Sequence, residues 1–244
     1  MSALEVTGAP DSASLAAVIA EELVARLRVL VAERGTASLA LTGGGIGTAT
    51  LRALRERAEQ VDWERLELWW GDERYLPEGD PDRNDTGARE ALLDRVPVPA
   101  ERVHPVPGPD RSDSVEQAAE TYTAELTAVL GAEPVLDLVL LGVGPDAHVA
   151  SLFPGHPALT DERVAVPVHD SPKPPPVRVS LSMRTITSAR EVWLLVAGGE
   201  KADAVALATA EGTTYVEAPA SAAAGRERTR WFLDDAAGAQ LAGR

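Results

Sequence analysis

The chain has 244 residues, a formal net charge of −15 at pH 7 and no cysteine. The charge argues against a general nucleic-acid binder, which needs an extended basic surface to neutralise phosphates, so an anionic small substrate would require a local cationic pocket. Without cysteine, disulfides, thiolate catalysis and cysteine-ligated zinc or iron–sulfur centres are excluded.

The opening MSALEVTGAPDSAS lacks a basic segment followed by an apolar core, and no apolar run approaches the roughly 18 residues that span a bilayer. A soluble cytoplasmic protein is expected, with residues 1–244 forming one domain. From residue 12 to 33, Leu15, Val18, Ile19, Leu23, Leu27 and Leu30 recur at three- or four-residue spacing, the apolar stripe of an amphipathic helix. Residues 37–41 read as a short apolar strand, after which TGGGIGT turns into a second helical pattern. Gly43, Gly44 and Gly45 let a ligand approach the backbone, and the helix that follows offers free N–H groups to a phosphate. The stretch satisfies neither the dinucleotide pattern nor the P-loop pattern.

A second strand is expected at 66–70, followed by a long polar loop with Asp72, Glu73 and Arg74, and then a helix over 86–95 capped by Asn84 or Asp85. Asp72 is a candidate substrate contact, and Arg74 is placed to meet a phosphate or a developing oxyanion. The proline-dense stretch 97–111 reads as an extended connection with a short strand at 103–106, where His104 faces solvent or a neighbouring loop. A helix over 112–130, capped by Ser112 or Ser114, leads into DLVLLGVGPDAHVASLFP. Its uninterrupted apolar run suits a strand covered on both faces, and it empties into a glycine turn that presents Asp146 and His148. Beyond it come a strand over 163–169, a stiff SPKPPP loop bearing Lys173 with Arg178 just after it, a short helix over 182–190 and a strand over 191–197. GGEKADAV then places Lys201 in a first helical turn, where a cation opposes the helix dipole and points to an anion nearby. An alanine-rich helix over 218–224 and a strand over 230–233 close the chain. This alternation predicts an α/β fold: a doubly wound, largely parallel central sheet with helices on both faces and a small additional β-containing region.

The ordered set ALTGGG, WWGDERYLP with DPDRND, LGVGPDAHVASLFPGHP, SPKPPPVRVSL and VAGGEKADAV resembles the 6-phosphogluconolactonase family from about residue 39 to 231. The resemblance implies hydrolysis of 6-phosphoglucono-1,5-lactone to 6-phosphogluconate, the second step of the oxidative pentose phosphate pathway, without metal or cofactor. It favours His148 as the water-activating base over His104, His156 and His169. Asp146 then either holds the imidazole's other nitrogen or shapes the turn by accepting backbone N–H groups. Gly43, Gly44, Gly45, Arg74, Lys173, Arg178 and Lys201 form the expected phosphate cradle, with contact to the lactone oxyanion as the alternative for Arg74. Two departures stand out. Ala147 and Val149 occupy positions where Gly and Thr are usual, so the backbone at Ala147 is expected to suit an ordinary residue. The TGGGIGTAT turn replaces a side-chain hydroxyl for which Thr42 or Thr48 could compensate. Rival readings are a glucosamine-6-phosphate isomerase or deaminase, disfavoured because HVASLFPG has no carboxylate after the histidine, and a non-catalytic sugar-phosphate sensor. The partner expected is a phosphorylated lactone, and the expected state is a monomer or weak homodimer.

Overall fold

The structure is a computed structural model that describes residues 4–241, so both ends of the expected 1–244 unit lie outside the described residues. Six strands build the main sheet: β1 (Glu5–Ala9), β2 (Ala37–Leu41), β3 (Leu66–Trp70), β5 (Leu138–Gly142), β8 (Glu191–Val196) and β9 (Arg228–Asp234). Their spatial order is β1-β9-β8-β5-β2-β3, and every neighbouring pair is parallel. Three shorter strands, β4 (Asp72–Arg74), β6 (Ala165–Val168) and β7 (Arg178–Leu181), form a small antiparallel sheet in the order β4-β7-β6. The helices are α1 (Ser12–Arg34), α2 (Gly44–Arg55), α3 (Asn84–Ala91), α4 (Val115–Leu130), α5 (Met183–Ser188) and α6 (Ala202–Ala208). None of the described helices is long and apolar enough to cross a membrane.

The central strands are apolar throughout because both faces are covered. Val139, Leu141, Val192 and Leu194 enter one core with α4 and α6, while Leu138, Leu140, Trp193 and Leu195 enter the other with α1 and α2. This is the two-residue period of a strand expressed as two hydrophobic layers, each fully buried Leu or Val contributing about 1.5–3 kcal/mol. The α1 stripe packs as expected, with Asp11 accepting from the Ser14 N–H at 2.8 Å and Gly35 ending the helix at φ 82°. From β2 the chain winds outward to β3, then returns to the other side of β2 and continues through β5, β8 and β9. The crevice at the carboxyl ends of β2 and β5 is therefore the topological switch point, where open α/β sheets hold their ligands.

Several local expectations change. Residues 72–74 are strand β4, not loop, because Gly71 carries the chain directly from β3 to a pairing with β7. α3 begins at Asn84, and neither Asn84 nor Asp85 caps it; both donate their backbone N–H groups to the Glu73 carboxylate, at 2.7 and 2.8 Å. Residues 103–106 form one bridge, Val103 to Leu68, since Pro105 lacks the N–H that a longer ladder needs. His104 is buried, not exposed, with its ring stacked on Trp69. The alanine run at 218–224 yields only a 3₁₀ turn, Pro219–Ser221, because the Ala220 N–H bonds to the Ala147 carbonyl and tertiary packing overrides helix propensity. β1, a short edge strand containing Gly8, gave no sequence signal.

Candidate active site

Beyond β5 the chain folds back tightly, with the Gly144 N–H donating to the His148 carbonyl at 3.0 Å and the Ala147 N–H to the Gly144 carbonyl at 2.9 Å. Gly144 is required here: a Cβ would lie 2.0 Å from the His148 ring, which covers its backbone. Ala147 contradicts the expectation of ordinary backbone, since it sits in the left-handed region at φ 61° with its methyl buried in the core. The turn directs His148 Nδ1 onto Asp146 Oδ1 at 2.5 Å, while the Phe153 ring, 4.5 Å away centroid to centroid, walls the imidazole. Burial pushes the Asp146 carboxyl up, but its hydrogen bond with His148 and the nearby charges of His148 and Lys173 outweigh this and hold it below the usual carboxylate range. With Nδ1 donating to the ionised Asp146, Nε2 of His148 is left without a partner among the described residues.

His148 opens onto a cavity of about 470 Å³ at the switch point. Nine of the ten residues singled out in the sequence line it, and the tenth, Asp146, stands behind His148. Gly43, Gly44 and Gly45 bring the start of α2 to the wall, Gly44 at φ 76°. A Cβ on Gly43 would come within 1.9 Å of Asn84 Oδ1, so any side chain there would have to displace the Asn84 amide. The Thr42 hydroxyl accepts the Gly142 N–H at 3.1 Å and so ties β2 to β5, while Thr48 does not reach the cavity.

The charged members divide by how firmly each is held. Asp72 is already engaged by the Ser151 hydroxyl at 2.6 Å, the Asn84 amide at 3.3 Å and Arg178 at 3.9 Å. Arg178 donates to the carbonyls of Lys173, Pro174 and Pro175 at 3.0, 3.1 and 3.0 Å, so it clamps the proline loop while lining the cavity. Its burial lowers its pKa. Arg74 bonds the Asp82 carbonyl and keeps a face to the cavity. Lys173 reaches Asp146 Oδ1 at 3.2 Å, whereas the Lys201 ammonium has no hydrogen-bond partner among the described residues. Burial lowers the pKa of Lys201, and the charge of Lys173 lowers it further. Two ammonium groups repelling each other in one cavity give it a local positive potential inside an acidic protein. Sequence reasoning gave no role to Ser151 or Phe153 and took Asn84 for a cap; their contacts are tertiary and leave no local pattern. Among the described residues no group of three or more His, Cys, Asp or Glu is placed to hold a metal ion.

The sequence model for glucosamine-6-phosphate isomerases/6-phosphogluconolactonase matches residues 10–231. The chain belongs to this family. A 6-phosphogluconolactonase of Streptomyces coelicolor is 50% identical over 242 residues, covering 95% of this chain and 92% of the relative. One from Mycobacterium tuberculosis is 46% identical over 238 residues, with 95% and 96% covered. Among solved structures, 6-phosphogluconolactonase from Trypanosoma brucei superposes with a TM-score of 0.84 at 28% identity, covering 98% of each chain. A monomeric glucosamine-6-phosphate deaminase shares the fold at a TM-score of 0.81 and 22% identity, over 97% of this chain and 99% of the other.

Proposed function

We propose that this protein hydrolyses 6-phosphoglucono-1,5-lactone to 6-phosphogluconate, with His148 as general base. The observation that carries the reading is an imidazole whose Nδ1 is fixed by an ionised carboxylate and whose Nε2 opens onto a cavity lined by Lys173, Lys201, Arg74 and the start of α2. A δ-lactone carbonyl is already electrophilic, so the site needs only to aim a water, take its proton and hold an oxyanion. His148 Nε2 removes a proton from water as the hydroxyl oxygen bonds to C1. The tetrahedral intermediate collapses by breaking the bond between C1 and the ring oxygen, and the imidazolium returns its proton to the departing alkoxide. General-base assistance of this kind supplies about 10²- to 10⁴-fold, or about 3–5 kcal/mol.

The phosphate dianion is assigned to Lys173, Lys201 and Arg74 with the N–H groups of Gly44 and Gly45, and Arg178 serves mainly to hold the loop that carries Lys173. The residues that follow His148, from Val149 to Phe153, include no acid, and this favours lactone hydrolysis over deamination of an amino sugar. The test is to add purified protein to freshly generated 6-phosphoglucono-1,5-lactone and, separately, to glucosamine 6-phosphate. Lactone disappearance far above the spontaneous rate, without ammonia release in the second reaction, is expected. A lactone decay curve that overlays the protein-free control ends the proposal.

A further inference from the structure

Lys173 stands where it can serve both the phosphate and the base. Its ammonium lies 3.2 Å from Asp146 Oδ1 and 3.2 Å from His148 Nδ1, so one carboxylate oxygen holds two donors at once. The proline loop fixes the lysine's backbone: Arg178 clamps the carbonyls of residues 173–175, and the Ser171 hydroxyl bonds the Lys173 carbonyl at 2.9 Å. The side chain itself is 36% exposed and lines the cavity, where it shares the space with Lys201 and repels it.

This arrangement opposes the chemistry while the site is empty. General-base catalysis turns His148 into an imidazolium, and an ammonium 3.2 Å away makes that charge harder to form. A dianion in the cavity competes with Asp146 for the ammonium and would draw it off the pair, leaving Asp146 Oδ1 to the imidazole alone. We propose that Lys173 is a latch that couples phosphate binding to base catalysis, so that the phosphorylated lactone releases His148 for proton transfer and an unphosphorylated lactone does not. The inference rests on the lactonase reading and adds to it a source of specificity expressed in kcat, not only in affinity: the part of the substrate remote from C1 contributes to the transition state.

The test separates the phosphate from the lactone. Hydrolysis of D-glucono-1,5-lactone is followed with and without inorganic phosphite, a dianion that can occupy the cationic end of the cavity. Phosphite is expected to raise the wild-type rate about tenfold or more. Lys173→Met is expected to hydrolyse the same lactone faster than wild type without phosphite, by a similar factor of about ten, and to gain nothing from adding it. Lys173→Arg, which keeps a cation on the loop, is expected to restore the phosphite response. A Lys173→Met enzyme no faster than wild type on the unphosphorylated lactone, or one still accelerated by phosphite, overturns the latch. Wild type that turns over the phosphorylated lactone yet ignores phosphite overturns the latch alone, and wild type inactive on the phosphorylated lactone removes the lactonase reading with it.

Discussion

His148 and His104 are both set against carboxylates in the folded protein, yet they are built for different ends. His104 has Nδ1 2.7 Å from Glu125 Oε1 and Nε2 2.9 Å from Glu67 Oε2, and its ring stacks 3.8 Å from Trp69 at 9° between planes. Every valence it offers is used, and it fastens the 97–111 connection to β3 and α4. His148 has one nitrogen on Asp146 and the other directed to the cavity. A carboxylate partner is therefore no sign of catalysis by itself; what marks a base is one nitrogen fixed and one left for a substrate.

The sharpest way to break this contrast is to remove each imidazole in turn. His148→Ala should lower kcat by at least about 10²-fold with KM little changed, as loss of a general base does. Steady-state kinetics on the phosphorylated lactone check it, and a loss below about tenfold would return His148 to a structural role. His104→Ala should do the reverse. It takes the partner from Glu67 Oε2, while Oε1 stays on Arg102, and vacates the stacking site on Trp69; a cost of about 2–3 kcal/mol in unfolding free energy is expected, reduced by the solvent that reaches Glu125. Its kcat should stay within about twofold of wild type, since His104 lies outside the cavity lining. Urea denaturation and the same kinetic assay decide both halves.

The pH dependence of stability separates the two sites next. Burial lowers the His104 pKa, but the hydrogen bonds to Glu125 and Glu67 outweigh it, so the folded-state value is raised. A raised histidine contributes stability that is fully present below its unfolded value of about 6.5 and is lost as pH rises through the folded value. Asp146 is depressed, so its contribution is present above the unfolded value of about 3.9 and is lost only as pH falls through the folded value, in strong acid. His104→Ala should therefore flatten the neutral-to-alkaline limb of the stability profile and leave the acid limb in place. A slope in the alkaline limb that survives the substitution would mean that another group sets it.

Much of this was legible in the sequence, for definite reasons. The main strands β2, β3, β5 and β8 are short apolar runs bounded by turns, and the α1 stripe is unbroken over its length. Gly43, Gly44 and Gly45 follow β2, and Asp146 and His148 follow β5, so the switch-point rule brings these two turns to one crevice without knowledge of their contacts. What stayed hidden is tertiary. Glu73 looks like one acid of a polar loop, yet it is buried, accepts the first N–H groups of α3 and sets Asn84 over Gly43; burial, partly offset by Arg83, pushes it up to about 7. His104 carries nothing in its own neighbourhood to announce Glu125, which lies a helix away. Ala147 misled by its identity, because an alanine argues for ordinary φ and the turn holds it at 61° regardless.

That strained turn supplies the smallest expected effect. Ala147→Gly should relieve a positive φ worth about 1 kcal/mol while losing a buried methyl worth about 0.8 kcal/mol and adding unfolded-state freedom. The opposing terms predict a net change below about 1 kcal/mol in unfolding free energy. Ala118→Gly is the matched reference, since Ala118 is equally buried but lies within α4, where the same methyl is lost with no strain to relieve and helix propensity costs about 1 kcal/mol more. The difference between the two denaturation curves reads the backbone term at the turn that presents His148. If the two substitutions cost the same, the left-handed geometry at Ala147 carries no strain, and the turn is held by its hydrogen bonds and packing alone.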